Sequence, residues 1–151
     1  MAYTATKNWK AGSSMISTDF DTFISANMDV ANQQHLEFLV TTLATGAAAA
    51  RWIAPYPVTI HGAHLGAGTA STTGSVVMDI LRSTNSTAAA VTLFTSSSEL
   101  PTLTSGKTET TSITAPDVTS VSSGDVLTAA CVSAGSAATA DVSMIISMSG
   151  A

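Results

Sequence analysis

Charge is what this chain has least of. Asp, Glu, Lys and Arg make up 10% of its 151 residues, against about 25% in an ordinary globular domain. The five basic residues, Lys7, Lys10, Arg51, Arg82 and Lys107, stand singly. No basic stripe forms, so nucleic acid is excluded as an expected partner. The formal net charge is −5. Cysteine is nearly absent: Cys131 alone makes no internal disulfide, and its apolar neighbours suggest a small buried hydrophobe rather than a reactive thiol. Aromatic residues are 5% of the chain. The longest apolar runs fall far short of a membrane span, so no membrane partner is expected. The opening "MAYTATKNWK" has no apolar signal core, and the expectation is a protein made in a cytoplasm.

Ser and Thr occupy the space that charge leaves, at roughly three residues in ten. Thr favours strands and Ser favours turns. With apolar residues at 45%, the composition suits a packed β-protein and does not suit disorder. A free monomer usually stays dispersed with a surface about 25–35% charged. This chain cannot supply that, so either copies of the chain cover one another's exterior, the leading expectation, or neutral hydroxyls alone keep the surface wetted.

The pattern divides the chain into an arm, residues 1–34, and a β-domain, residues 35–151. Within the arm, Thr18 and Asp21 fit a helix-capping pair, and Asp19 and Asp21 favour the positive end of the helix dipole. Phe20, Phe23, Ile24 and Met28 then recur at helical spacing and make one apolar face. The spacing predicts a helix over about residues 19–30. A helix of that length is marginal alone in water and needs a surface to pack against. Trp9 ahead of it reads as an anchor.

Beyond the arm, Leu36, Phe38 and Val40 alternate as a first strand. "ATGAAAA" fits a loop or a short helical turn. Pro55 and Pro57 confine "RWIAPYPV" to an edge or a strand entry. Val58, Ile60, Ala63 and Leu65 continue as a strand with an expected bulge at Gly62. "GSVVMDILRS" sets Val76, Met78 and Ile80 on one face. "AAAVTLFTS", "GKTETTSITA", "GDVLTAACVSAG" and "ADVSMIISMSG" come next as further strands between Ser-, Thr- and Gly-rich turns. Short strands so spaced, with no helices between them, predict an all-β antiparallel sandwich or barrel.

Chemistry-bearing motifs fail on inspection. "SGKT" at residues 105–108 lacks the glycine a phosphate loop needs, since Pro101 stands there, and no helix follows. "GAGTAS" has Ser71 where a dinucleotide loop has its third glycine. The carboxylates Asp79, Glu99, Glu109, Asp117, Asp125 and Asp141 are dispersed, and no G-x-S-x-G elbow occurs. "NST" at residues 85–87 reads as a turn. His61 and His64 would point to opposite faces of a regular strand and share a metal only across a bulge. No cofactor is therefore expected, and the chain is not expected to be an enzyme. Trp52 fits sugar stacking or anchoring equally, and it joins Trp9, Phe20, Phe23, Ile24 and Met28 as the candidate attachment residues.

The front of the chain resembles the N-terminal segments of virion structural proteins of tailed bacteriophages, which run W-x-x-G, a small apolar step, Thr or Ser, and a short helix. The matching residues are Trp9, Gly12, Met15–Ile16, Ser17–Thr18 and Phe20, with Asp21 where Asn is common. "HLGAGTASTTGSVVMDILRSTNST", "SGKTETTS", "VSSGDVLTAACV" and "ADVSMIISM" resemble the β-modules of the same proteins, in which Gly-Asp often precedes the penultimate strand, as Gly124–Asp125 does. The resemblance implies a jelly-roll-like sandwich with a short N-terminal helical arm, commonly a homotrimer. It implies residence in the virion and contact with the major capsid protein. A capsid decoration protein is the leading expectation and a tail or baseplate fibre the second. A carbohydrate-binding module, with a host glycan as partner, is the alternative of another class, disfavoured by the scarcity of aromatics.

Overall fold

The computed structural model describes residues 33–40, 43–46, 48–84, 89–110, 113–136 and 140–151. The chain divides between Gln33 and Gln34. The expected helix and Trp9, Phe20, Phe23, Ile24 and Met28 lie outside the described residues, as does the "NST" turn.

The described chain is all-β, with antiparallel pairing. Nine strands are described: β1 (Gln33–Val40), β2 (Ala48–Ile53), β3 (Val58–Thr69), β4 (Val76–Ser83), β5 (Val91–Thr92), β6 (Thr102–Leu103), β7 (Ser120–Val121), β8 (Val126–Ala134) and β9 (Ala140–Gly150). The only helical geometry among the described residues is a single 3-10 turn, Ser97–Glu99, capped by the Ser96 hydroxyl. One sheet has the order β1-β9-β3-β7, and the other β2-β8-β4-β5, with β6 also pairing with β4. The pairing is nested: β1 lies beside β9, β2 beside β8, β3 beside β7 and β4 beside β5.

Alternation explains which residues fill the core, because successive side chains on a strand point to opposite faces. Val76, Met78 and Ile80 of β4 are fully buried, as the spacing predicts, and so are Val142, Met144 and Ile146 of β9. Leu127, Ala129 and Cys131 of β8, Val58, Ile60 and Leu65 of β3, and Phe38 and Val40 of β1 join them in one cluster drawn from both sheets. Cys131 is thus a core residue, and burial pushes its thiol up from the usual range. Arg82 reaches from β4 to the Ser120 carbonyl at 2.7 Å and ties the two sheets at one end.

Three segments differ from the sequence expectation. In "ATGAAAA", Ala44 lies outside regular structure and Thr45–Gly46 is a turn, but the last alanines are neither loop nor helical turn: Ala48–Ile53 is a strand paired with β8. Alanine prefers helix when nothing else decides, but here β8 offers a ladder and alanine is small enough for either face. Among the described residues of "AAAVTLFTS" only Val91–Thr92 is strand, and Leu93 and Phe94 turn into the core instead. Residues 106–110 and 113–115 of "GKTETTSITA" form no regular strand either. The stretch meets β3 at isolated bridges, Ala63 with Thr114 and Gly66 with Glu109. With β7 it covers that edge of β3, leaving β1 as the edge strand on the other side.

The turn at Ser122–Asp125 matches its sequence signal. Gly124 takes φ +86°, and the Asp125 carboxylate accepts the Ser122 N–H at 3.0 Å. Pro55 and Pro57 fall between β2, an edge strand, and the start of β3.

Candidate interaction surfaces

Each sheet turns one face to the core and one outward, and the two outward faces differ in chemistry. The four-stranded sheet presents His35, Glu37 and Leu39 on β1, Ser143, Ile145, Ser147 and Ser149 on β9, and Thr59, His61 and His64 on β3. The residues between them fill the core. The register shifts between Ile60 and Gly62, so the expected bulge is present. Its effect is to bring His61 and His64 to the same outward face. His61 Nε2 lies 2.9 Å from Ser149 Oγ, and Ser147 Oγ lies 3.4 Å from His35 Nδ1. All three histidines of the chain therefore share one face, two of them in contact with serines of β9. Among the described residues no three His, Cys, Asp or Glu side chains approach closely enough to hold a metal ion. Gly62 sits on this face beneath Ile113, where an added Cβ would collide with the Ile113 Cγ2.

The five-stranded sheet presents a different surface. On β2, Ala50 and Trp52 pack against the core, so Arg51 and Ile53 point out. On β8, Val126, Thr128, Ala130 and Val132 alternate with the core residues. On β4 the outward positions include Asp79, Leu81 and Ser83. In register, Ile53 and Ser83 flank Val126, Arg51 and Leu81 flank Thr128, and Asp79 lies beside Ala130. Ile53 is 64% exposed and Val132 45%. Thr128 points outward yet is buried, because Arg51 and Leu81 cover it from both sides. Asp79 Oδ1 accepts the Thr92 hydroxyl at 2.7 Å. Partial burial holds the Asp79 carboxyl above its ordinary range, opposed by the hydrogen bonds from Thr92 and the Ile80 backbone.

Trp52, a candidate attachment residue, is half-buried against the core opposite Leu127. Its outward neighbours Arg51 and Ile53 carry no signal of their own in the sequence. A charged residue beside a tryptophan is uninformative until pairing decides which of the two faces out.

Serine hydroxyls hold together the loops beyond the strand ends. Ser71, nearly inaccessible at 1% exposure, shares its proton between the carbonyls of Thr73 at 2.8 Å and Gly74 at 2.9 Å and accepts the Ser136 N–H at 2.8 Å. Its own carbonyl accepts the Gly106 N–H at 2.8 Å and the Ser105 hydroxyl at 3.2 Å. The "SGKT" turn therefore spends its Gly106 amide on Ser71 and its Lys107 amide on Thr104, and no phosphate cradle remains. Ser71 is a junction of three loops with no histidine among these partners.

Asp117 joins two further loops, accepting the Thr95 N–H at 2.6 Å and the Thr95 hydroxyl at 2.8 Å on one oxygen. These bonds hold its carboxyl below the ordinary range. A carboxyl depressed in the folded state adds stability above its unfolded pKa of about 3.9 and loses it as pH falls through the folded value. Asp117→Asn should lower the melting temperature at pH 7, and the gap to the parent should close as melts are taken down towards pH 3. A gap independent of pH would show that the charge contributes nothing.

Compared with known protein families, curated proteins and solved structures, this chain matches none.

Proposed function

We propose that the chain is a non-enzymatic structural protein of a virus particle, a capsid decoration protein of the tailed-bacteriophage kind, working as a homo-oligomer with trimeric closure. The observation that carries this reading is the nested strand order. Setting aside β6, which pairs with β4 off the main path of its sheet, eight strands remain in the orders 1-9-3-7 and 2-8-4-5. The first pairs with the last, the second with the next to last, and so inward to the pair of β4 and β5. A long hairpin folded over on itself in this way fits a jelly-roll sandwich, an architecture viral capsid domains use. It gives a stiff module with two broad faces, and the outward residues here are short of charge.

The physical task of such a protein is to bury surface across neighbouring shell subunits. Binding to the assembled shell and not to its separated subunits stabilises the shell by mass action. The partners are further copies of the chain and the major capsid protein, the site of action is the virion, and synthesis is in the host cytoplasm. Residues 1–34, with Trp9 and the Phe20, Phe23, Ile24 and Met28 pattern, supply the attachment arm. The test is co-sedimentation of the purified chain with shells of the particle that encodes it. Saturable binding that raises the shell's melting temperature, lost on deleting residues 1–30, is expected. A chain that stays in the supernatant overturns the proposal.

A further inference from the structure

We infer that the outward face of the five-stranded sheet is where a second copy of this chain docks, with Arg51 of each copy meeting Asp79 of its neighbour. This rests on the homo-oligomeric reading above and adds a two-fold contact that pairs copies face to face, separate from the contacts that close the trimer.

The two outward faces differ in a way the fold does not require. An antiparallel sheet with one face on the core normally alternates to polar residues outside. The four-stranded sheet is mainly polar outside: its outward face carries three histidines, a glutamate, Thr59 and three serines of β9 around Leu39 and Ile145. The five-stranded sheet departs from the rule. Ile53, Val126, Leu81, Ala130 and Val132 stand outward on β2, β8 and β4 around Thr128.

Charge placement selects the occupant. Strands β2, β4 and β8 hold three charged residues, and one of them, Arg82, bonds to Ser120. The other two, Arg51 and Asp79, lie on the outward face, on opposite flanks of β8 and with opposite signs. A basic partner would answer Asp79 and repel Arg51, and an acidic partner the reverse. A copy of the same face, turned so that its flanks exchange, answers both while laying apolar side chains on apolar side chains. Asp79 gains most from this, since its carboxylate is already half-buried and a neighbour's guanidinium would supply the missing counter-charge.

The test is a charge swap on the full chain, read by sedimentation equilibrium. Arg51→Asp alone places four carboxylates across the contact, and Asp79→Arg alone four guanidiniums. Each should weaken self-association at least about tenfold. The double variant Arg51→Asp/Asp79→Arg restores opposite signs and should regain association to within a few-fold of the parent. Ile53→Asp gives an independent readout: the side chain is largely exposed, so a circular dichroism spectrum like the parent's and a lost association are expected together. The proposal is overturned if the parent is monomeric, if either single variant associates like the parent, or if the double variant stays dissociated. Shell co-sedimentation is measured alongside. Shell binding with association indifferent to the swap sinks this interface alone. Intact swap behaviour without shell binding sinks the decoration reading alone.

Discussion

Gly135→Ala should cost the fold about 2–4 kcal/mol, the sum of left-handed backbone strain and overpacking. In a chain of this size that lowers the melting temperature by on the order of 10 °C. Gly135 takes φ +65°, where an L side chain is strained. A Cβ there would lie 2.6 Å from Ser71 Oγ and 3.0 Å from Ser71 Cβ. Ser71 cannot step aside freely, because its hydroxyl holds Thr73, Gly74 and Ser136 and its carbonyl holds Gly106. Ser71→Ala alone should cost about 1–3 kcal/mol, since the Ser136 amide and the two carbonyls lose a buried partner. In the double variant the worst collision is gone, so the two costs should sum to less than their separate values by about 1 kcal/mol. Urea unfolding of the four proteins measures the cycle. Strict additivity would mean that Gly135 and Ser71 do not press on one another.

The second large effect lies in the core. Ile146 is fully buried on β9 and pairs with Ala63, whereas Ile145, its neighbour, points outward beside His64. Ile146→Ala should cost about 2–5 kcal/mol through lost burial and the cavity left behind. Ile145→Ala should cost below about 1 kcal/mol, as for a partly exposed side chain. Adjacent residues of one type, differing only in the face they take, make the pair a direct check on the register of β9. Equal costs would mean that the strand is set one residue off, since such a slip exchanges its faces.

Much of this fold is legible in the residues because the signals for it are local. The two-residue alternation of Val76, Met78 and Ile80, and of Val142, Met144 and Ile146, needs only a strand with one dry side. Gly124–Asp125 marks its turn through glycine's tolerance of positive φ and a carboxylate that bonds back to its own loop. The scarcity of charge, and with it the expectation of covered surface, is likewise a property of composition.

Tertiary structure decided the rest, since pairing joins residues distant in sequence. Ala48 and Ala50 are strand because β8 lies beside them. Glu109 and Thr114 meet β3 at isolated bridges, and no local signal in "GKTETTSITA" tells a bridge from a strand. The bulge that the glycine suggested gained its consequence only in the sheet, where it turned His61 and His64 to one side. Ser71, one hydroxyl among many in the sequence, became a junction only when three loops met around it. The outward face between Arg51 and Asp79 belongs to the same class. Each of its strands shows an inner and an outer row, but only the order β2-β8-β4 assembles the outer rows into one surface with a charge on either flank.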